Sequence, residues 1–169
     1  ILSAFSAELR PQVPALLQAY DFLGEMDFIR AKAELAVRID ALKPSLVDRP
    51  MIDWGAAYHP LLELSLRKHG RKMSPLDIEL DGERRILLIS GPNAGGKSVC
   101  LKTAGLLQYM LQCGLLIPVH ERSRAGLFKS LFIDIGDQQS IEDDLSTYSS
   151  HLLNMKHTLR NCDRKSLIL

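Results

Sequence analysis

Residues 91–98 constrain the fold of this chain more than any other feature. The phosphate-binding pattern G-x-x-x-x-G-K-[ST] is matched by Gly91, Pro92, Asn93, Ala94, Gly95, Gly96, Lys97 and Ser98. Glycines allow backbone N–H groups to close around phosphate oxygens, and the N-terminus of a following helix adds partial positive charge. Lys97 is expected to reach the outer phosphates, and Ser98 to offer its hydroxyl to Mg²⁺. The pattern therefore predicts a nucleotide site.

The residues on either side of this loop suit such a site. Residues 85–90 form a short apolar run of the kind found in buried strands. Residues 99–113 are Leu-rich and long enough for a helix, and Gly114 follows where helices often end on glycine. Strand, loop and helix in this order favour the nucleotide site over the alternative, a glycine-rich turn without a ligand.

The remainder of residues 44–169 alternates between strand and helix patterns. Leu-Asp-Ile-Glu-Leu at residues 76–80 has the alternation of a half-buried strand. Residues 130–135 and 166–169 are further apolar runs of strand type, and residues 149–162 predict a helix. Strands and helices that alternate around the loop predict an α/β domain with a mostly parallel sheet and flanking helices.

Residues 1–43 form a different kind of segment. Apolar residues recur there at helical spacing, so we expect helices throughout. Pro11 and Pro14 break or kink a helix, which predicts a short first helix and a long second one before Pro44. Two interpretations remain open, a plain two-helix packing element and a lever or linker that precedes the α/β domain.

Composition excludes several classes of protein. A net charge of +1 over 169 residues gives no broad field for nucleic acid or membranes, and no apolar stretch has transmembrane length. The first residues lack a basic leader, and the chain does not begin with methionine, which indicates a piece of a longer protein. Three cysteines far apart and five unclustered histidines predict reduced thiols without zinc. We therefore expect a cytoplasmic protein without membrane contact.

Two motifs together resemble a known family. GPNAGGKS at residues 91–98 and DIGDQQSIEDDLSTYSSHL at residues 134–152 are similar to the ATPase domain of the MutS family, as is HPLL at residues 59–62. The second motif is closest to the branch without a mismatch-reading domain, which is associated with suppressing recombination, DNA junctions and ribosome rescue. The resemblance covers about residues 50–169, and more weakly residues 1–43 as the helices that link the ATPase to a DNA clamp.

The resemblance implies a P-loop NTPase of the ABC type and assigns roles to residues. ATP or ADP binds at residues 91–98 and at Val99, and Mg²⁺ binds Ser98. Ser146 and Thr147 lie near the γ-phosphate of the neighbouring subunit, so the intact protein pairs head to tail as a homodimer with Lys97 and Ser146 (in trans) as catalytic residues. The residues alone favour the alternative, in which Ser146 and Thr147 cap the following helix, and the resemblance reverses that preference.

One family feature has no counterpart here. The family carries an Asp-Glu pair for metal and water after a strand that resembles residues 166–169. We therefore expect that these 169 residues alone do not hydrolyse ATP, although the intact protein does. Asp134, which closes an apolar run, is a weaker alternative metal ligand because Ile135 follows it. Glu142, Asp143 and Asp144 are interpreted as a solvated loop.

The family points to a DNA-binding ATPase in mismatch repair or recombination control, with DNA bound through regions outside these residues. The only dense basic cluster contains Arg67, Lys68, Arg71 and Lys72, which is too small for tight DNA contact. Two alternatives remain. A P-loop kinase would need lid arginines, for which Arg122 and Arg124 are the only close pair after the loop, and a non-catalytic nucleotide-binding module would need none.

Overall fold

The computed structural model describes residues 2–92, 95–135 and 144–169, with only the backbone for residues 2 and 144–150. The helices are α1 (Leu2–Leu9), α2 (Val13–Arg38), α3 (Pro60–Lys68), α4 (Lys97–Gln112) and α5 (Asp144–Asn161). The strands are β1 (Ser45–Val47), β2 (Ile52–Ala57), β3 (Leu76–Leu80), β4 (Arg124–Gly126), β5 (Ser130–Phe132) and β6 (Ser166–Ile168). Within these residues no helix has both the length and the apolar character that crossing a bilayer requires.

Residues 2–38 form the short and the long helix that the prolines predict. Pro11 lies in a 3₁₀ turn, Arg10–Gln12, which separates α1 from α2, and Pro14 lies in the first turn of α2. Helix α2 ends in a Schellman motif, in which the Ala41 N–H donates to the Ala36 carbonyl at 2.8 Å and Asp40 takes a left-handed φ of 51°. Ala36 and Ile39 are buried, whereas residues 3–31 are exposed. Contact with the rest of the molecule is therefore confined to the end of α2.

The larger sheet has the order β1-β4-β2-β3 and is mixed, which differs from the mostly parallel sheet that we expected. Strand β1 pairs with β4 in parallel, but β2 is antiparallel to both β3 and β4. The connection from β1 to β2 is only four residues long, too short for a parallel crossover, and the two strands run in opposite directions. Strand β4 lies between them, parallel to β1 and antiparallel to β2.

A second sheet contains β5 and β6, which pair in parallel, with Leu131 opposite Leu167. Helix α5 connects these two strands, so this part has the β-α-β arrangement that the alternating pattern predicts.

The strand predicted at residues 85–90 is absent from the structure. This segment is assigned to no strand, and the side chains of Ile86 and Leu88 are 90% and 87% exposed. A strand exists through hydrogen bonds to a neighbour, and no strand among the described residues pairs with this segment. The apolar composition of this segment is typical of a strand, but composition alone does not show whether a neighbouring strand is available to pair with it.

Helix α4 packs against the larger sheet and supplies much of the core. Leu107 is fully buried, together with Ile52 and Trp54 of β2. The buried Gln108 amide donates to the Gly126 carbonyl at 3.0 Å and so joins the helix to β4. Helix α4 ends as the sequence predicts, because Gly114 adopts a φ of 72° and the Leu115 N–H donates to the Met110 carbonyl at 3.0 Å.

Two glycine substitutions should change stability in opposite directions. Gly114→Ala is expected to destabilise the fold by about 1 kcal/mol, because a left-handed conformation is costly for alanine. Gly24→Ala is expected to stabilise it by about 0.5–1 kcal/mol, because Gly24 lies inside α2 with nothing within 4 Å of an added Cβ. Urea denaturation of both variants measures these changes, and a stabilised Gly114→Ala protein would contradict the assigned helix end.

Candidate nucleotide site

The described residues of the 91–98 loop, Gly91, Pro92 and residues 95–98, have backbone features that suit a phosphate site. Helix α4 begins at Lys97, and its N-cap, Gly96, has a left-handed φ of 80° and ψ of 13°. Gly91 has a φ of 150°, which also favours glycine. Among the described residues no side chain caps this helix end, so the N–H groups of its first turn are open to an anion.

The Lys97 side chain folds back onto the first two residues of the loop. Its ammonium group donates to the carbonyls of Gly91 and Pro92, each at 2.7 Å. The Gly95 N–H also donates to the Pro92 carbonyl at 2.9 Å, and an added Cβ on Gly95 would lie only 3.0 Å from that oxygen. The lysine charge is therefore held against the backbone carbonyls at the start of the loop.

Of the other residues predicted for this site, two lie in the first turn of α4 and two lie outside the described residues. Ser98 is exposed at the start of α4, and Val99 follows it in the first turn, where its carbonyl accepts from the Thr103 hydroxyl at 2.6 Å. Asn93 and Ala94 lie outside the described residues. Free first-turn N–H groups, a lysine ammonium and an exposed serine hydroxyl fit the phosphates of a nucleotide with Mg²⁺.

The HPLL element at residues 59–62 begins α3. The ring of His59 is the N-cap, and its Nδ1 accepts from the Leu62 N–H at 3.4 Å. Burial lowers the pKa of His59, a backbone hydrogen bond raises it in part, and the charge of Lys102 on α4 lowers it further. This histidine is therefore a neutral cap near α4.

Ser146 and Thr147 occupy the first turn of α5, which begins at Asp144 rather than near Ser149. They therefore lie inside the helix, beyond the N-cap position from which a side chain caps it. Their side chains are outside the described part of the chain, as are Glu142 and Asp143. The helix N-terminus near them still favours an anion.

Asp134 is engaged by two side chains of α5, which sequence reasoning did not foresee. One carboxylate oxygen lies 2.9 Å from Nδ1 of His151, and the other accepts from the Asn154 amide at 3.2 Å. The hydrogen bond from His151 lowers the pKa of Asp134, and the bond from Asn154 lowers it further. Among the described residues no group of three or more His, Cys, Asp or Glu side chains could hold a metal ion. The sequence signal that could have pointed to this contact is the spacing of His151 and Asn154, two polar residues three positions apart on the predicted helix.

The lowered pKa of Asp134 predicts a pH dependence. Because the folded-state pKa lies below the unfolded one, the stabilisation is present above the unfolded pKa and is lost as pH falls through the folded pKa. Asp134→Asn should therefore be less stable than wild type near neutral pH, and the difference should shrink below about pH 4. Urea denaturation at stepped pH measures this, and a difference that grows on acidification would contradict the assignment.

Charged residues that could have served other functions are partly neutralised. Arg67, from the basic cluster, forms ion pairs with Asp40 and Glu63. Arg124, which the kinase alternative would use in a lid, pairs with Asp53 at 2.8 Å. Among the described residues, the open first turn of α4 and Lys97 at the glycine loop remain as the candidate nucleotide site.

Comparison with known proteins matches the chain to one family. The family model described as "MutS domain V" matches residues 87–169. Endonuclease MutS2 of Carboxydothermus hydrogenoformans is 43% identical over all 169 residues, which cover 21% of that protein. Endonuclease MutS2 of Geobacillus sp. (strain WCH70) is 44% identical over the whole chain and 21% of its own length.

A third relative, endonuclease MutS2 of Leuconostoc mesenteroides subsp. mesenteroides, is 41% identical over all 169 residues and 20% of that protein. The chain thus spans about a fifth of the length of the curated relatives it matches. The domain match begins just ahead of the glycine loop, and the similarity to the relatives extends over the helical segment as well. The chain therefore belongs to the MutS family, in its MutS2 branch.

Proposed function

We propose that this chain is the ATP-binding part of a MutS2-type ATPase that acts on DNA. The observation that carries the proposal is the glycine loop at the start of α4, which lies within the region matched by MutS domain V. In this proposal the helical segment, residues 1–43, precedes an ATPase domain that begins at residue 44. Exposed apolar residues along α2, such as Leu16 and Phe28, are consistent with a segment that packs against other parts of a longer protein.

Different residues of the loop bind different parts of ATP or ADP. Backbone N–H groups of residues 91–99 surround the phosphates, and Lys97 turns from the Gly91 and Pro92 carbonyls toward their oxygens. The Ser98 hydroxyl holds Mg²⁺, which neutralises charge on the phosphates when it is bound. The open first turn of α4 supports this assignment because its dipole favours an anion.

Hydrolysis in the intact protein uses a residue from a second subunit. Ser146, with Thr147 beside it, completes the nucleotide site of the partner in a head-to-tail homodimer. The position of both residues in the first turn of α5 supports this role, because N–H groups and hydroxyls there suit a γ-phosphate. Lys97 acts within its own subunit and Ser146 in trans.

The DNA surface of the intact protein lies outside these residues. Within them the cations are dispersed among 20 acids, and the ion pairs of Arg67 and Arg124 reduce the local positive charge. The matched relatives are named endonucleases, and we propose a role in mismatch repair or recombination control in the cytoplasm.

Two measurements test this function together. The full-length protein is expected to release phosphate from ATP only with Mg²⁺ and to bind duplex or junction DNA. Residues 1–169 alone are expected to show no DNA binding near physiological salt in fluorescence anisotropy, because few phosphates would be neutralised. Tight, salt-resistant binding by residues 1–169 would show that the DNA surface lies within them. Absence of Mg²⁺-dependent phosphate release by the full-length protein would remove the ATPase assignment.

A further inference from the structure

Helix α5 buries little apolar surface where its side chains are described. Over residues 151–161 only His151 and Thr158 are half-buried, and the others are exposed. Leu152, Met155 and Leu159 are 48%, 56% and 77% exposed, although apolar side chains would normally fix a helix to its sheet. Polar contacts must therefore contribute much of what fixes the direction of α5 in this structure.

Asp134 makes the central contact of this kind. It lies just beyond β5, and both of its carboxylate oxygens are used, one at 2.9 Å from His151 and the other at 3.2 Å from Asn154. Residues three apart lie on the same helix face. One carboxylate that bonds both of them therefore fixes the rotation of α5 about its own axis and its distance from the end of β5. The Asp134 N–H donates to the Leu169 carbonyl at 2.8 Å, which ties the aspartate to the end of β6.

A second contact lies further along the helix. The rings of Phe132 and His157 meet edge to face, with centroids 6.2 Å apart. Two contacts at different positions along α5 fix the direction of the helix axis, whereas a single contact would leave the helix free to rotate about it. The anchor at Asp134 is the nearer of the two to the first turn of α5.

We propose that Asp134 is a positioning residue that directs the first turn of α5, with Ser146 and Thr147, toward the nucleotide of the neighbouring subunit. This inference rests on the proposed role of Ser146 in trans. Ser146 precedes His151 by five residues, or about 7.5 Å along the helix axis. Loss of the anchor therefore displaces Ser146, and a misplacement of about 1 Å at a reacting group can cost up to about 100-fold in rate.

The test uses the full-length protein with four variants: Asp134→Ala, Ser146→Ala, the two combined, and Asp163→Ala. Asp163 is the matched control, an aspartate that bonds Lys129 and the Lys165 N–H in the turn before β6. Asp134→Ala should lower kcat about tenfold and leave the nucleotide Kd unchanged, because only the trans contact is misplaced. The combined variant should lose no more than Ser146→Ala alone, since both changes remove one interaction.

Hydrogen exchange gives a direct structural readout. Amides of residues 151–161 should exchange faster in Asp134→Ala than in wild type, while those of α4 stay unchanged, because only the anchor of α5 is removed. Asp163→Ala should leave the exchange of α5 and kcat unchanged. If Asp134→Ala does not fold, Asp134→Asn keeps one acceptor oxygen and should show a smaller loss of kcat in the same direction.

The outcomes separate the two proposals. Wild-type kcat in Asp134→Ala, beside a strong loss in Ser146→Ala, would overturn the positioning role and leave the ATPase assignment intact. Multiplicative losses in the combined variant, or unchanged exchange in α5, would overturn it as well. Wild-type kcat in Ser146→Ala would instead overturn the role of Ser146 in trans, and with it the positioning role of Asp134.

Discussion

Lys97→Ala is expected to weaken ATP binding about 10- to 100-fold, because a hydrogen bond to a charged group is worth about 1.5–3 kcal/mol. The ammonium of Lys97 already sits at 2.7 Å from the carbonyls of Gly91 and Pro92, so it is held beside the place where phosphates would bind. Isothermal titration of wild type and variant with ATP and Mg²⁺ measures the change.

Lys129→Ala is the matched control for this experiment. Lys129 is an exposed lysine, paired with Asp163 at 3.1 Å, that lies just before the strand β5 rather than at the loop. Its removal should leave the affinity for ATP unchanged. Equal affinity of wild type and Lys97→Ala would remove the glycine loop from the proposed site.

Ser146→Ala in the full-length protein is expected to reduce kcat for ATP hydrolysis about 100- to 1000-fold, the range found when one donor to a transition-state oxygen is removed. Nucleotide binding by one subunit should remain nearly intact, because in the proposed dimer each subunit supplies its own glycine loop. Phosphate release under saturating ATP gives kcat, and a fluorescent nucleotide gives Kd.

Ser149→Ala provides the comparison on the same helix, since it makes the same chemical change about one turn further from the helix start. It should hydrolyse ATP at close to the wild-type rate. A Ser146→Ala protein that loses nucleotide binding along with turnover would show that Ser146 acts within its own subunit.

Local patterns in the sequence predicted those elements whose stability is mostly local. Residues 76–80 form β3 with the bounds expected from their alternation. Helix α4 ends before Gly114, and the prolines separate α1 from α2. In each case a side-chain period or a backbone preference of single residues decides the structure.

Features that depend on distant partners were not predictable in this way. Strand β2 was missed because it contains Gly55 and a left-handed Ala56, and its pairing with β3 shifts register there. Residues 85–90 have the composition of a strand but lack a paired neighbour in the described structure. The bond between Asp134 and His151 spans 17 residues, and the sequence does not show which helix face meets the end of β5.

Helix α4 joins two places that the sequence keeps far apart. Its first turn contains Lys97 and Ser98, and the carbonyl of Gly114 beyond its last turn accepts a hydrogen bond from Lys32 of α2 at 3.3 Å. A helix of 16 residues is about 24 Å long and bends little. A tilt of about 5° at one end therefore shifts the other by about 2 Å, enough to break that single bond. A movement of the glycine loop that tilts α4 would therefore also disturb one of the contacts that hold the long helix, beside the buried Ala36 and Ile39.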